Sequence, residues 1–120
     1  MTTVFFPIIE IADRHAIAKL KYEKTKSNLA ELTFYQAQLA QFDIKLIEYE
    51  LDQLYNIHSC IWALESELKS GVEDQLSLSE IGERAIEIRN WNRKRIDLKN
   101  IIAEKLDCNV REIKQDHLSQ

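Results

Sequence analysis

The chain has 120 residues and a net charge of −4, and 45% of its residues are hydrophobic. This length supports one domain with a single core, and the negative charge argues against a general nucleic-acid binder. The sequence contains two Gly and one Pro, Pro7, so no proline interrupts it from residue 8 onwards. The composition predicts an all-α protein.

The first predicted helix covers residues 8–24, where apolar side chains recur at intervals of three and four residues. These positions are Ile9, Ala12, Ala16, Ile17 and Leu20. A weak break follows at residues 25–28, where Ser27 or Asn28 could cap a second helix over residues 29–42. The sequence leaves open whether this break is a turn or a kink in one continuous helix.

Residues 43–70 carry the clearest apolar stripe, with Asp43 as its candidate cap. The stripe alternates steps of three and four through Ile44, Ile47, Leu51, Leu54, His58, Ile61, Glu65 and Leu68. It predicts a long helix that ends at Gly71, followed by a loop over residues 72–76. Ser77-Leu78-Ser79-Glu80 then has the form of a capping box, which predicts a second long helix over residues 78–106. Such a short loop forces the two long helices to run antiparallel.

We therefore predict an antiparallel helical bundle of three to four helices built on this long helical hairpin. Residues 1–109 form a single domain, and residues 110–120 form a polar tail that is either a short helix or disordered. A bundle with so few helices leaves apolar surface uncovered, so we expect a homo-oligomer, in the form of a dimer.

Charge is distributed unevenly along this hairpin. Residues 43–83 carry ten acids and two bases, whereas residues 84–99 carry six bases and two acids. One interpretation is an acidic helix that packs beside a basic one within the hairpin. The other is a basic face that binds phosphate or another anion.

The N-terminal segment Val4–Ile9 is apolar but too short to span a membrane, and it lacks the basic region and cleavage site of a signal peptide. We expect it to cap the bundle as an extended arm. Cys60 and Cys108 lack metal-ligand or redox spacing, and we interpret Cys60 as a small core residue. These features favour a cytoplasmic protein with no membrane, nucleic-acid, metal or cofactor partner.

Polar side chains interrupt the inward faces of the predicted helices. They are Asp13, Lys21, His58, Glu65, Asn92, Arg95 and Lys99. Because burying an unpaired charge costs several kcal/mol, such residues must pair with each other or remain accessible to water or a ligand. One interpretation is a hydrogen-bonded network that fixes the register of the helices.

The other interpretation is a polar cavity between the helices. Arg95 and Lys99 would then bind a carboxylate or phosphate, and His58 would serve as hydrogen-bond donor or base. Asp13 or Glu65 would orient the cations.

No catalytic motif accompanies these candidates. The sequence has no Glu-x-x-His pair, Gly-rich phosphate loop or nucleophile elbow, and His58 stands alone on its stripe. Glu80, Glu83 and Glu87 share one face, which we interpret as the solvated start of a helix. We expect Trp62 and Trp91 to lie in the core rather than to act as stacking platforms.

Three separated blocks of the sequence carry a family resemblance. They are Glu10-Ile11-Ala12-Asp13-Arg14 with Leu20-Lys21-Tyr22-Glu23-Lys24, then Ile61-Trp62-Ala63-Leu64-Glu65, and finally Asn92-Arg93-Lys94-Arg95-Ile96-Asp97-Leu98-Lys99. The chain thereby resembles a family of small bacterial all-helical domains of unknown function, with blocks E-L-x-D-K…I-K-x-E-R, L-W-x-I-E and N-D-x-R-x-x-L-K. His58 stands where members tend to have Asn, and Arg93 stands in place of Asp. Members occur alone or beside glycosyltransferase or tetratricopeptide-repeat proteins, so the resemblance points to cell-surface glycan work without assigning an activity.

We carry three functional expectations. The favoured one is a non-enzymatic interaction or assembly module, so we expect a binding role rather than an enzymatic one. The second is a binder of a small anionic ligand, or an adaptor in glycan metabolism. The third is a small helical enzyme of chorismate-mutase type, which would hold a dicarboxylate by electrostatics with a set comprising Arg14, Lys21, Arg95, Lys99 and Glu65.

Overall fold

The computed structural model describes residues 8–69 and 75–106, and all regular secondary structure in these ranges is helical. The elements are α1 (Ile8–Thr25), α2 (Leu29–Leu39), a 3₁₀ turn (Ile44–Ile47), α3 (Glu48–Lys69) and α4 (Leu78–Lys105). Within the described residues, this confirms the predicted all-α bundle. Residues 4–7 of the expected N-terminal arm, the Gly71 cap, Cys108 and the tail at 110–120 lie outside the described residues. Ile8 and Ile9 were also expected in this extended arm, but they form the buried first turn of α1, so that part of the prediction was wrong.

α3 and α4 form the predicted antiparallel hairpin. Glu67, near the end of α3, pairs with Arg84, near the start of α4, at 2.5 Å between Oε2 and Nε. Glu50, at the start of α3, pairs with Lys105, at the end of α4, at 2.9 Å between Oε2 and Nζ. Helices that are joined in this way at both ends must run in opposite directions.

The break after α1 is a reversal of the chain. Lys26 has a φ of 57°, a left-handed conformation that ends the helix. α2 then runs back along α1, and an ion pair of 3.6 Å joins Lys21 Nζ to Glu31 Oε1. Asn28 occupies the N-cap position of α2 but does not cap it with its side chain, which instead donates to the Ala18 carbonyl oxygen at 3.1 Å.

The helix predicted over residues 43–70 is not α-helical from its start, because residues 44–47 form a 3₁₀ turn. α2 ends at Leu39, and Asp43 makes no side-chain capping bond. The Asp43 carbonyl oxygen accepts from the Leu46 backbone N–H at 3.2 Å, which is the hydrogen-bond spacing of a 3₁₀ turn. This tighter turn brings Ile47 fully into the core while it leaves Leu46 exposed.

α1 lies between α2 on one side and the α3–α4 hairpin on the other. For this reason it buries more than its predicted stripe, and Ile11 and Ala18 are buried as well. The core lies where α1 meets the free ends of the hairpin. Its buried members are Ile8, Ile9, Ile11, Ala12, Ala16, Leu39, Ile47, Leu54, Ile102 and Ala103.

The loop end of the hairpin is much less covered. Leu78 is 88% exposed and Ile86 is 50% exposed, both in the first half of α4. Trp62, Trp91 and Cys60 are half-buried, so the expectation that they belong to the core was wrong. No helix in the two described ranges is long and apolar enough to cross a membrane.

Candidate functional site

Asp13 is the centre of a buried cluster of charges at the junction of α1, α3 and α4. Its Oδ1 lies 2.7 Å from His58 Nε2 on α3 and 3.8 Å from Arg95 Nε on α4. Its Oδ2 lies 3.9 Å from Lys99 Nζ, one helical turn further along α4. One carboxylate thus faces three cationic or potentially cationic groups from two different helices.

The electrostatics of the cluster keep Asp13 ionised. Burial alone would raise the pKa of this carboxyl group, but the hydrogen bond to His58 and the charges of Arg95, His58 and Lys99 hold it below its ordinary value of 3.8. Because the carboxylate can only accept, His58 Nε2 must carry the proton and donate it to Asp13.

Lys99 is the most buried cation of the cluster. Its residue is 2% exposed, and its Nζ donates to Glu10 Oε1 at 3.1 Å in addition to its longer contact with Asp13. Glu10 and Asp13 are three residues apart on α1, so both lie on the side that faces α4. Lys99 is therefore part of a paired structural network.

A cleft of about 640 Å³ opens beside this cluster, between α1, α3 and α4. This volume lies within the range of natural small-molecule sites. The lining side chains are Ile17, Leu20, His58, Ile61, Trp62, Glu65, Ser66, Lys69, Asn92 and Arg95. The α1 wall is apolar, the α4 wall is polar, and α3 contributes both kinds of side chain.

Arg95 joins the buried cluster to the cleft. Its side chain is 25% exposed and lines the cleft, yet its Nε atom is buried and has no hydrogen-bond partner among residues 8–69 and 75–106. Asp13 lies too far away to accept from it and already accepts from His58. A charged donor at the edge of a cleft is thus left unsatisfied.

The structure separates the predicted polar set into two groups and one outlier. Asp13, His58, Arg95 and Lys99 come together as the buried cluster, while Glu65 and Asn92 line the cleft with His58 and Arg95. Glu65 also pairs with Lys69 at 3.3 Å. Lys21 lies apart on the α2 side of α1, where it pairs with Glu31.

Arg14 also faces α2 rather than the cleft. A hydrogen bond with the Tyr35 side chain raises the pKa of Arg14 above its ordinary value. Arg14 and Lys21 line a separate shallow depression together with Glu31 and Tyr35. The set proposed for a chorismate-mutase type of enzyme therefore does not converge on one site.

Sequence reasoning missed two acidic residues that matter for the charge balance. Glu10 could have been found, because it precedes Asp13 by three residues and faces the same side of α1. Glu50 is 4% exposed and pairs with Lys105. Glu50 lies three residues after Ile47 and four before Leu54, so the spacing of the α3 stripe could have indicated its burial.

The cleft combines polar groups with apolar walls. It offers a guanidinium group, an imidazole and an amide beside apolar walls, which are the elements of carboxylate or phosphate recognition. In the described part of the chain, no three His, Cys, Asp or Glu residues converge as metal ligands.

Comparison of the chain with protein-family models, with curated proteins and with solved structures gave no match. The resemblance of the three sequence blocks to a family of small bacterial helical domains therefore stays a prediction.

Proposed function

We propose that this protein is a non-enzymatic binding module whose cleft takes a small anion with a carboxylate or phosphate group. The observation that supports the proposal is that Arg95 lines the cleft while its buried Nε is unsatisfied within the described residues. Leaving a buried charged donor without a partner costs about 1–3 kcal/mol or more. A bound anion that accepts from the guanidinium group would offset this cost.

Arg95 is also held less closely within the native network than Lys99 is. Lys99 is held by Glu10 at 3.1 Å, whereas the ion pair of Arg95 with Asp13 is 3.8 Å long. The planar guanidinium group can donate two parallel hydrogen bonds to one carboxylate or phosphate. His58 and Asn92 line the same cleft and offer further polar groups.

Thermal unfolding in the presence of inorganic phosphate or acetate tests this function, with sodium chloride at equal ionic strength as the reference. An anion that binds only the native state at about ten times its Kd adds about 1.4 kcal/mol to the free energy of unfolding. We expect this gain in the wild-type protein and its loss in Arg95→Met.

Arg93→Met is the matched control, because Arg93 lies on the same helix but is exposed and does not line the cleft. This variant should respond to the anions as the wild type does. Equal responses of Arg95→Met and Arg93→Met would show that the anions bind elsewhere, and the proposal would fail.

A second function, assembly with another copy of the chain, is favoured by the exposed loop end of the hairpin. Leu78 and Ile86 are the most exposed large apolar residues of α4. Residues 43–83 are acidic and residues 84–99 are basic, so these two stretches would attract each other if two hairpins packed side by side. This surface thus fits a second copy of the same hairpin.

Light scattering coupled to size exclusion tests the assembly. We expect a dimer for the wild type and a folded monomer for Ile86→Glu. Leu46→Glu is the control, because Leu46 is similarly exposed but lies in the 3₁₀ turn at the opposite end of α3. A wild-type protein that stays monomeric at high concentration would exclude this function.

Two further parts of the proposal concern the setting of the protein. The free cysteine Cys60 supports a reducing compartment such as the cytoplasm. The resemblance of the three blocks to domains found beside glycosyltransferases supports an adaptor role in glycan metabolism.

A further inference from the structure

The cleft is elongated along α3. The α3 residues that line it, at 58, 61, 62, 65, 66 and 69, recur at the three- and four-residue spacing of a helix face. This is one face of a helix over about three turns, and it spans about 16 Å from His58 to Lys69 at the rise of an α-helix. A site for a phosphate or acetate ion alone would need only a fraction of this length.

Polar and apolar groups are segregated within the cleft. At the inner end, His58 lies against Asp13, with Arg95 and Asn92 in the α4 wall. Ile61 and Trp62 follow on α3 one turn further from Asp13. Trp62 is only half-buried, so part of this residue is accessible to water.

The opposite wall extends the apolar surface. Ile17 and Leu20 of α1 lie four and seven residues after Asp13, which places them on the same side of the helix. Together with the α3 side chains they form an apolar channel that leads away from Arg95. At its outer end, Lys69 pairs with Glu65, so that end carries little net charge.

Resting on the function proposed above, we propose that the ligand of this cleft is an amphiphilic anion. Its carboxylate or phosphate head accepts hydrogen bonds from Arg95, and its apolar body lies along Ile61 and Trp62. A head group alone would leave the apolar side chains of the channel exposed to water. An apolar body on the ligand removes both its own surface and that of the channel from water. Each buried methylene group then strengthens binding by up to about fourfold.

A series of alkyl carboxylates tests the inference. Acetate, butanoate and hexanoate are titrated into the Trp91→Phe protein, whose fluorescence then reports Trp62, the other of the two tryptophans in the chain. We expect the Kd to fall about two- to fourfold for each added methylene, with a change in Trp62 emission. Hexyl phosphate and inorganic phosphate form a second arm that distinguishes a phosphate head from a carboxylate head.

Two substitutions separate the head from the body. Arg95→Met should raise the Kd of every anion by about ten- to hundredfold, because it removes a charge-assisted hydrogen bond. Arg93→Met should leave the Kd unchanged. Ile17→Ser, at a half-buried position of the apolar wall, should reduce the gain per methylene without weakening acetate. Far-UV circular dichroism verifies that each variant remains folded.

The outcomes distinguish this inference from the function on which it rests. If acetate and hexanoate bind equally well and both depend on Arg95, the anion site stands but the amphiphilic ligand is excluded. If binding strengthens with chain length but Arg95→Met has no effect, the head group is misplaced and the inference fails. If no anion binds in an Arg95-dependent way, the proposed function fails as well.

Discussion

Asp13 is the residue around which the buried charges of the bundle cluster. It accepts a hydrogen bond from His58 and lies close to Arg95 and Lys99. A carboxyl group with a depressed pKa binds fewer protons in the folded than in the unfolded state. Its contribution to stability is therefore complete above its unfolded value of 3.8, and it is lost as the pH falls through the folded value.

Asp13→Asn should lower the free energy of unfolding by roughly 3 kcal/mol near neutral pH, because it leaves buried cations without their carboxylate. The difference from wild type should shrink as the pH falls below 3.8 and through the lower pKa that Asp13 has in the folded protein. Urea unfolding at several pH values measures both effects. Asp43→Asn is the control, since Asp43 is exposed and makes no capping bond with its side chain. A difference that stays constant with pH would contradict this assignment.

Lys99 and Arg95 share a helix face but should respond differently to replacement by Met. Lys99 is buried and hydrogen-bonded to Glu10, so Lys99→Met should cost roughly 3 kcal/mol by leaving acidic groups unpaired. Arg95→Met should cost less than about 1 kcal/mol, because it also removes an unsatisfied donor while His58 still satisfies Asp13. Urea unfolding without added anions measures the two costs. Equal losses would mean that both cations serve the same structural network.

At the scale of helices, the elements were predictable where the signal is local. The α3 stripe and the Ser77–Glu80 capping box identified the hairpin, because both depend on residues within a few positions of each other. The α2–α3 connection was not predictable in detail. Its 3₁₀ turn depends on Ile47 reaching a core that distant helices complete.

The sequence predicted which side chains of the candidate site share a helix face, but it did not predict which helix each face packs against. Lys21 follows Asp13 by eight residues, which places it about 80° around α1, on the side that α2 covers. The sequence contained no signal that α2 would pack there rather than against the hairpin. The pairing of Glu50 with Lys105 was likewise hidden, since it joins the two ends of the hairpin.

The capping box of α4 offers a test at this scale. Glu80 N–H donates to Ser77 Oγ at 3.1 Å, and Ser77 N–H donates to Glu80 Oε1 at 3.0 Å. Ser77→Ala should lower the free energy of unfolding by about 1 kcal/mol, because it leaves an N-terminal N–H group unsatisfied. Ser79→Ala, within the first turn and exposed, should be nearly neutral. If the two variants unfold alike in urea, the cap does not contribute to stability.

At the scale of the whole molecule, packing is concentrated at one end. Ile47, Leu54 and Ile102 are completely buried where α1 meets the free ends of the hairpin. The cleft and the exposed start of α4 lie further along the hairpin. The well-packed core forms a rigid base, and the cleft and the start of α4 form an open end. The base holds the polar cluster in place beside the cleft, which suits the cleft to binding.

Stability should follow this asymmetry. α2 packs mainly on α1 and buries Leu32 and Leu39 alone, so most of it should open without disturbing the hairpin. In native-state hydrogen exchange we expect the slowest amides around Leu54 and Ile102. Residues 29–36 of α2 and the start of α4 should exchange faster.

Protein concentration and added anion then act on different parts of the exchange pattern. Dimerisation through the exposed hairpin end should slow exchange near Ile86 as the protein concentration rises, because the second copy covers that surface. An anion in the cleft should instead slow exchange on α3 near Trp62 at any protein concentration. Uniform exchange across α2 and the core would show that the bundle opens only as a whole, and the division into a rigid base and an open end would be wrong.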